Sequence, residues 1–541
     1  MALLYAIIFV TGGAVLALEL LASRIMTPYF GVSLYIWSGI LSITLVALAL
    51  GYHAGGRFAE RLSARRGARA SDRLCHLFLA MPAAASAALI AACLAYPYLF
   101  PWLARLDLVA GAFAAGSVLL FVPLVATSAM NPLLVAILLA REPDSARGAD
   151  AGAGRVFFVS TLGSVAGVLA TAFGLIPSLS NFSSVLVVAV VLAALPLAAL
   201  VALPRDSAAR NALAGAAMLT LAISGALLWK ADAYTGRMWP VSFNGTRWHV
   251  EGAAGSLFGT VKVLASEPRA GDGRFIRVYF QDGLIQNRLL SDGTSLSLYT
   301  YALEALARMY RPAAREALVL GLGAGVVPMR LAQAGIAVDA VEIDPASFRI
   351  AQRYFGFRPE RVRVHVEDAR TYLRGCDGRY EIIVVDLFHG DGVPEYLLTR
   401  EFFADLKRCL ARDGVAVFNS FADLLHPATY AHFLTTLRAE LPAIVLYRPP
   451  DSGAVHVNSF VVASARPLPE PAPNPLHDVI ASQADTLDDM LRAPRTLDAD
   501  LLRDGVIVTD AHNPAAHELA RAQLFYRAMV VQELPAAFLM N

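Results

Sequence analysis

"ALVLGLGAGVVPMRLAQAGIAVDAVEID", residues 317–344, runs from a short apolar strand into a glycine turn, through a helix-length segment, and into a second apolar strand closed by Glu342 and Asp344. Strand, turn, helix and strand in that order predict the opening βαβ unit of a parallel sheet, whose ligands bind outside the carboxyl ends of the strands. Gly321, Gly323 and Gly325 are the candidates for receiving one. Glycine tolerates positive φ and lets a ligand come close to the backbone. The dinucleotide fingerprint G-x-G-x-x-G needs a third glycine where this chain has Val326, so the spacing G-x-G-x-G points away from NAD.

That spacing favours the turn with which methyltransferase-type folds hold an adenosyl sulfonium. The alternation then continues outward. "VRVHVEDARTYL" reads as a third strand ending at Asp368, and "YEIIVVDLF" as a fourth ending at Asp386. Glu342, at the tip of the second strand, is placed to accept from both ribose hydroxyls, and Asp368 to accept from an adenine amino group. Each acid taken alone also reads as a helix N-cap. Glycines with three carboxylates in step after three successive strands make a shared ligand site the sharper reading.

Around this centre the sequence resembles the spermidine synthase family of aminopropyltransferases, through a run of motifs in order. "VYFQDGLIQ" resembles the family's "LDG.IQ" hairpin, and "SLSLYTYALEAL" the helix that carries "SYQEM", with Tyr299 on the tyrosine. "GLGAGV" stands for "GGGDGG", "VEID" matches directly, and "EDARTYL" stands for "GDGFEFL". "VVDLFHGDGVPEYLLTREFFADLKRCL" resembles the "D-S-S-D-P" loop with its helix, and "YRPPDSGAVHVNSFVVAS" the late strand pair with its "PSG". The resemblance covers residues 255–466. Taken with the apolar sequence ahead of it, the chain is also similar to a bacterial group of membrane-fused spermidine synthase-like proteins.

The resemblance implies roles for individual positions. Gly321, Gly323, Ala324, Gly325 and Gln286 would line the nucleoside and the sulfonium chain, Glu342 would hold the ribose, and Asp368 with Ala369 the adenine. Asp386 would be the acid–base that takes a proton from the attacking amine, with Tyr299 and Asp391 helping to hold the acceptor. The residue types suit that chemistry. A sulfonium is already activated, because sulfur leaves as a neutral thioether, and the enzyme must supply an aligned, deprotonated amine. An alkylammonium titrates near about 10, so a carboxylate beside it must help remove a proton. No metal is expected.

Departures from the family pattern bear on substrate. Ala324 stands where the family has an aspartate that contacts the donor's amino group. The donor is therefore expected to be decarboxylated S-adenosylmethionine or S-adenosylmethionine itself, whose carboxylate that aspartate would repel. Gly259 and Thr300 replace glutamines. Leu387 and Phe388 replace serines and form an apolar lip, which suits an amine acceptor that is putrescine-like or bulkier.

Further out, the texture changes. Of the 541 residues 57% are hydrophobic, and mean hydropathy is +0.53, beyond the range of ordinary soluble proteins. A net charge of +1 gives no basic excess, and nucleic acid is not an expected partner. Seven apolar blocks, at 2–22, 34–51, 75–99, 108–140, 156–176, 184–203 and 212–229, mostly reach the roughly 20 residues that cross a bilayer. They predict a multi-pass helical domain over residues 1–230, seated in the inner cell membrane with the lipid bilayer as partner. The first block lacks a basic start and is not expected to be a removable signal. "GGRFAERLSARRGARASDR" (55–73) carries six arginines, which places it in the cytoplasm, and it is similar to a loop of major facilitator transporters. Seven simple crossings would then leave the remainder outside. Since the donor is made in the cytoplasm, block 108–140, interrupted by Pro123 and "TSAMNP", is predicted to form two short or re-entrant pieces that return the later domain to the cytoplasm.

Glu19 is a candidate intramembrane functional acid, or half of a structural pair with Arg24, and "GSVAG" (163–167) predicts close helix packing. Cys75, Cys93, Cys376 and Cys409 are widely separated and read as thiols without a disulfide framework. Residues 231–315 read as a β-rich part, 316–466 as the ligand-binding α/β domain, and 467–541 as a proline-rich linker with a helical extension. The expected fold is thus a multi-pass α-helical membrane domain followed by an α/β Rossmann-like, methyltransferase-type domain with a small N-terminal β-hairpin region. The expected activity is a membrane-bound, polyamine-synthase-like transfer of an aminopropyl group from decarboxylated S-adenosylmethionine to an amine. The alternatives are an S-adenosylmethionine-dependent methyltransferase, or a non-catalytic ligand sensor on a transporter-like membrane domain. A homodimer is the assembly considered.

Overall fold

A computed structural model of the chain describes residues 2–32, 34–63, 68–141, 149–200, 208–388, 392–423, 427–450 and 456–540. It divides into two compact units, Met1–Pro240 with Val530–Asn541, and Val241–Met529.

The first unit is helical: α1 (Ala2–Phe30), α2 (Leu34–Ser63), α3 (Ala68–Leu106), α4 (Leu108–Arg141), α5 (Ala149–Ala170), α6 (Asn181–Ala199) and α7 (Ala208–Trp229). Among the described residues, seven helices are long and apolar enough to cross a membrane. Small residues let α1 and α5 touch backbone to backbone. A Cβ on Gly163 would lie 1.9 Å from the Phe9 carbonyl, and one on Gly167 2.2 Å from that of Gly13. Ser164 Oγ donates across the same seam to the Gly12 carbonyl at 2.9 Å. The predicted break in block 108–140 does not occur: α4 is one helix with Pro123 and Pro132 inside it. Proline is tolerated in apolar helices whose neighbours and hydroxyl side chains re-satisfy the backbone, and here Thr127 Oγ1 donates to the Pro123 carbonyl at 2.9 Å.

The second unit opens with five antiparallel strands in sequential order: β1 (Val241–Phe243), β2 (Thr246–Ser256), β3 (Gly259–Ser266), β4 (Ile276–Gln281) and β5 (Leu284–Leu290). Asp282 (φ 48°) and Gly283 (φ 90°) both take positive φ between β4 and β5. That is the two-residue turn whose twist matches a hairpin, and Asp-Gly is a preferred pair for it. After α8 (Leu298–Tyr310) the chain alternates: β6 (Glu316–Leu320), α9 (Val326–Gln333), β7 (Ala337–Glu342), α10 (Pro345–Tyr354), β8 (Val362–Val366), α11 (Ala369–Arg374), β9 (Tyr380–Val385), α12 (Arg400–Cys409) and β10 (Leu410–Asp423). Then follow α13 (Pro427–Glu440), β11 (Ala443–Tyr447), β12 (His456–Ser464), α14 (Ala481–Arg492), β13 (Arg495–Thr496) and α15 (Ala515–Glu533).

These strands form one eight-stranded sheet in the order β13-β11-β12-β10-β9-β6-β7-β8. The pairs from β10 to β8 are parallel, and β12 runs antiparallel to β10. One hydrophobic core joins α8, α9 and α14 to one face; a second joins α11, α12 and α13 to the other. With both faces covered, β6 and β9 must be nearly continuous in apolar residues, as "EALVL" and "YEIIVV" are. One expectation is corrected: Cys376 and Cys409, 33 residues apart, form a disulfide, because the return from β9 through α12 brings their Cα atoms to 5.2 Å.

Candidate active site

The sheet order reverses between β6 and β9. From β6 the chain proceeds outward through β7 and β8 on one side, and through β9 and β10 on the other. A ligand crevice forms at such a switch point, beyond the carboxyl ends of the strands. Gly321 and Asp386 occupy it, one residue past β6 and one past β9, where Asp386 N donates to the Leu320 carbonyl at 2.9 Å. Gly321 has φ 93°, and a Cβ there would sit 2.1 Å from the Asp386 carbonyl oxygen. Glycine is thus required for the two strand ends to meet.

A cavity of about 860 Å³ opens from this point, within the size range of small-ligand sites. Gly321, Gly323, Ala324, Glu342, Asp368, Ala369, Asp386, Gln286 and Tyr299 all line it. The three acids foreseen at successive strand ends therefore share one hollow. Gly325 stands behind the wall: with φ 79° it N-caps α9, and Phe357 packs where its side chain would be. Asp391 falls outside the described residues.

Each acid is held differently. Glu342 Oε2 accepts from Leu322 N at 3.1 Å and Gly323 N at 3.4 Å, and its Oε1 accepts from Asp344 N at 2.8 Å. It thereby braces the glycine loop from below. Burial raises its pKa above the usual carboxylate value, against the lowering pull of those amides. Asp368 N-caps α11 through Thr371 N at 2.9 Å, so the cap reading applies to it; its second oxygen accepts from the Tyr396 hydroxyl at 3.2 Å. Asp386 Oδ1 accepts from Asn419 Nδ2 at 2.8 Å, and Asn419 Oδ1 in turn accepts from Asn458 Nδ2 at 3.0 Å. Burial pushes the Asp386 pKa up to about 6, while the Asn419 hydrogen bond pulls it down. Burial, and then the Asp386 charge, pushes the Tyr299 hydroxyl well above its ordinary value.

Asn419 and Asn458 were not foreseen. They lie on β10 and β12, paired antiparallel beside β9. The only signal in sequence is an asparagine directly after the apolar run 415–418, which reads equally well as a turn. Tyr279 also reaches the cavity, with its hydroxyl donating to Ser347 Oγ at 2.7 Å. The arrangement can hold a nucleoside between the glycine loop, Glu342 and Asp368, and can present a group to a carboxylate that is a base at neutral pH.

Comparison with known proteins agrees in position. The family described as the spermine/spermidine synthase domain matches residues 296–447. A polyamine aminopropyltransferase of Vibrio vulnificus (strain CMCP6) is 33% identical over 224 residues, which cover 38% of this chain and 71% of that protein. An N-terminal histidine N-methyltransferase of Emericella nidulans is 36% identical over 141 residues, 25% of each chain. Among solved structures, that of a probable spermidine synthase from Corynebacterium glutamicum ATCC 13032 covers 50% of this chain and 97% of its own, with 18% identity and a TM-score of 0.38.

Proposed function

Because this chain belongs to the spermidine synthase family and is an enzyme of the aminopropyltransferase type, we propose that it moves the aminopropyl group of decarboxylated S-adenosylmethionine to an amine, with Asp386 as the base. The observation that carries this reading is the single cavity into which the glycine loop, Glu342, Asp368 and Asp386 all open. Glu342 holds the ribose diol, Asp368 and Ala369 hold the adenine edge, and Gln286 flanks the nucleoside. Tyr299 helps to seat the amine. Asp386, half-buried and with a pKa of about 6, is charged at neutral pH yet basic enough to share the proton of an incoming ammonium. The helical unit anchors the enzyme in the membrane; the length and apolar character of its seven helices support this.

One observation favours a second donor. Ala324 lines the cavity without the carboxylate that would repel unmodified S-adenosylmethionine, so methyl transfer is the competing chemistry. Calorimetry of the purified protein with decarboxylated S-adenosylmethionine, S-adenosylmethionine and methylthioadenosine tests both. Tight binding of the decarboxylated donor and of methylthioadenosine is expected. Preference for the unmodified donor would move the assignment to methyl transfer, and binding of none of the three would overturn it.

A further inference from the structure

Resting on the reading of Asp368 as the residue that holds the donor's adenine, we propose that the turn "VTDAHNP" (508–514), through Asp510 and Asn513, positions Tyr396 against Asp368 and so sets the affinity for adenine over other purines. Asp368 Oδ1 is tied to the first turn of α11, accepting from Thr371 N at 2.9 Å and from Thr371 Oγ1 at 3.2 Å. Oδ2 is the oxygen left for a ligand. The last torsion of an aspartate is broad, so this oxygen needs a partner to fix its direction. Tyr396, which lines the same cavity, supplies one: its hydroxyl donates to Oδ2 at 3.2 Å. A carboxylate oxygen has two lone pairs, so an adenine amino group can join the hydroxyl there without displacing it. The acceptor is then held in place before the ligand arrives, and less ordering is left for binding to do.

Local structure does not hold Tyr396 by itself. Residues Glu395–Leu397 make one turn of 3-10 helix, and the tyrosine is 40% exposed. Its fastenings come from far along the chain. Arg370 Nη1, two residues after Asp368, donates to the Tyr396 carbonyl at 3.3 Å, and the same guanidinium pairs with Asp510. The Arg370 side chain is only 11% exposed, so its charge requires a carboxylate beside it. Asn513 Nδ2 donates to the neighbouring Glu395 carbonyl at 3.1 Å.

The turn that carries Asp510 and Asn513 is itself fixed. Thr509 N donates to the His512 carbonyl at 3.0 Å, and His512 N to the Thr509 carbonyl at 3.2 Å. At the start of α12, Arg400 N donates to the Val508 carbonyl at 2.8 Å, and Asp510 N donates to Glu401 Oε2 at 3.0 Å. The contacts run from Asp510 to Arg370, to Tyr396 and to Asp368, and the chain closes the ring through Ala369. The turn lies outside residues 296–447, the span that the family description matches.

The test measures the affinity of the full-length protein in detergent for methylthioadenosine, by calorimetry, and for methylthioinosine, by competition. Methylthioinosine carries a carbonyl where adenine has its amino group and cannot donate to Asp368 from that position. Tyr396→Phe and Asp510→Asn should each weaken methylthioadenosine by about three- to tenfold, and methylthioinosine by less than about twofold. Because both changes break one chain of contacts, the double variant should bind methylthioadenosine within about twofold of the weaker single variant. Tyr396→Phe keeps the ring, so a loss confined to adenine is one that misfolding cannot imitate. Unchanged methylthioadenosine affinity in both variants, equal losses for the two nucleosides, or a double loss equal to the product of the single losses overturns the inference and leaves the aminopropyltransferase reading standing. Wild-type protein that binds neither methylthioadenosine nor decarboxylated S-adenosylmethionine overturns that reading itself.

Discussion

Asp386 carries two opposed pH dependences. As the proposed base it would work only when charged, so turnover should rise as pH passes through about 6 and level off above it. Its folded value is raised from 3.8 to about 6, so the stability it contributes is present below 3.8 and is lost as pH rises through about 6. Asp386→Asn removes both effects: kcat should fall by about 10²–10⁴-fold, while the melting temperature at pH 8 stays level or rises. A fall in both would mean that the side chain is structural. Asn419→Ala removes the hydrogen bond that holds the Asp386 pKa down, so the acidic limb of the pH–rate profile should move up by about one unit. An unmoved limb would detach Asn419 from the base. Asp386 was legible in sequence because an acid directly after "YEIIVV" has few places to go except the sheet's carboxyl end. Asn419 was not, because its partner is 33 residues away and an asparagine within a strand carries no sign of what it faces.

At the scale of the element, the glycine loop separates two uses of the same residue. Gly321 has φ 93° and a neighbouring carbonyl where a Cβ would be, so Gly321→Ala must push the β6 and β9 ends apart and should cost about 2–5 kcal/mol. Gly323 has φ 52° and open space around its missing side chain, so Gly323→Ala should cost only about 1–2 kcal/mol of stability while weakening donor binding. Thermal melts with and without methylthioadenosine separate the two, and equal melting temperatures would contradict the geometry. The loop, its strands and the three acids could be read beforehand because strand, turn and helix are contiguous. Two features could not. The proline pair in α4 signals a break in water but not inside an apolar bundle. The pairing of Cys376 with Cys409 depends on how far α12 carries the chain back.

For the whole molecule, two physical arguments about sidedness oppose each other. The connectors 64–67, 142–148 and 201–207 hold four arginines beside Glu142, Asp144 and Asp206, while the connectors at 31–33, 107 and 179–180 hold only Asp107 as a charge. With α4 unbroken and seven crossings, that bias puts the second unit on the face opposite the cytoplasm. The donor argues the other way, since a permanent cation made in the cytoplasm does not cross a bilayer unaided. We expect activity to prevail: a reporter enzyme fused after Asn541 should be active only if it folds in the cytoplasm, one of the seven helices then lying along the bilayer. A fusion active only on the outer face would exclude this donor. The last helix has a further consequence, in time and not in space. At about 5–20 residues per second, the 79 residues from 448 through Tyr526 take roughly 4–16 s to emerge from the ribosome. Through that interval the nascent chain owns the strand tips that line the larger cavity, but lacks Tyr526, which also lines it. The wall of that cavity is thus completed later than its strand tips while the chain is being made.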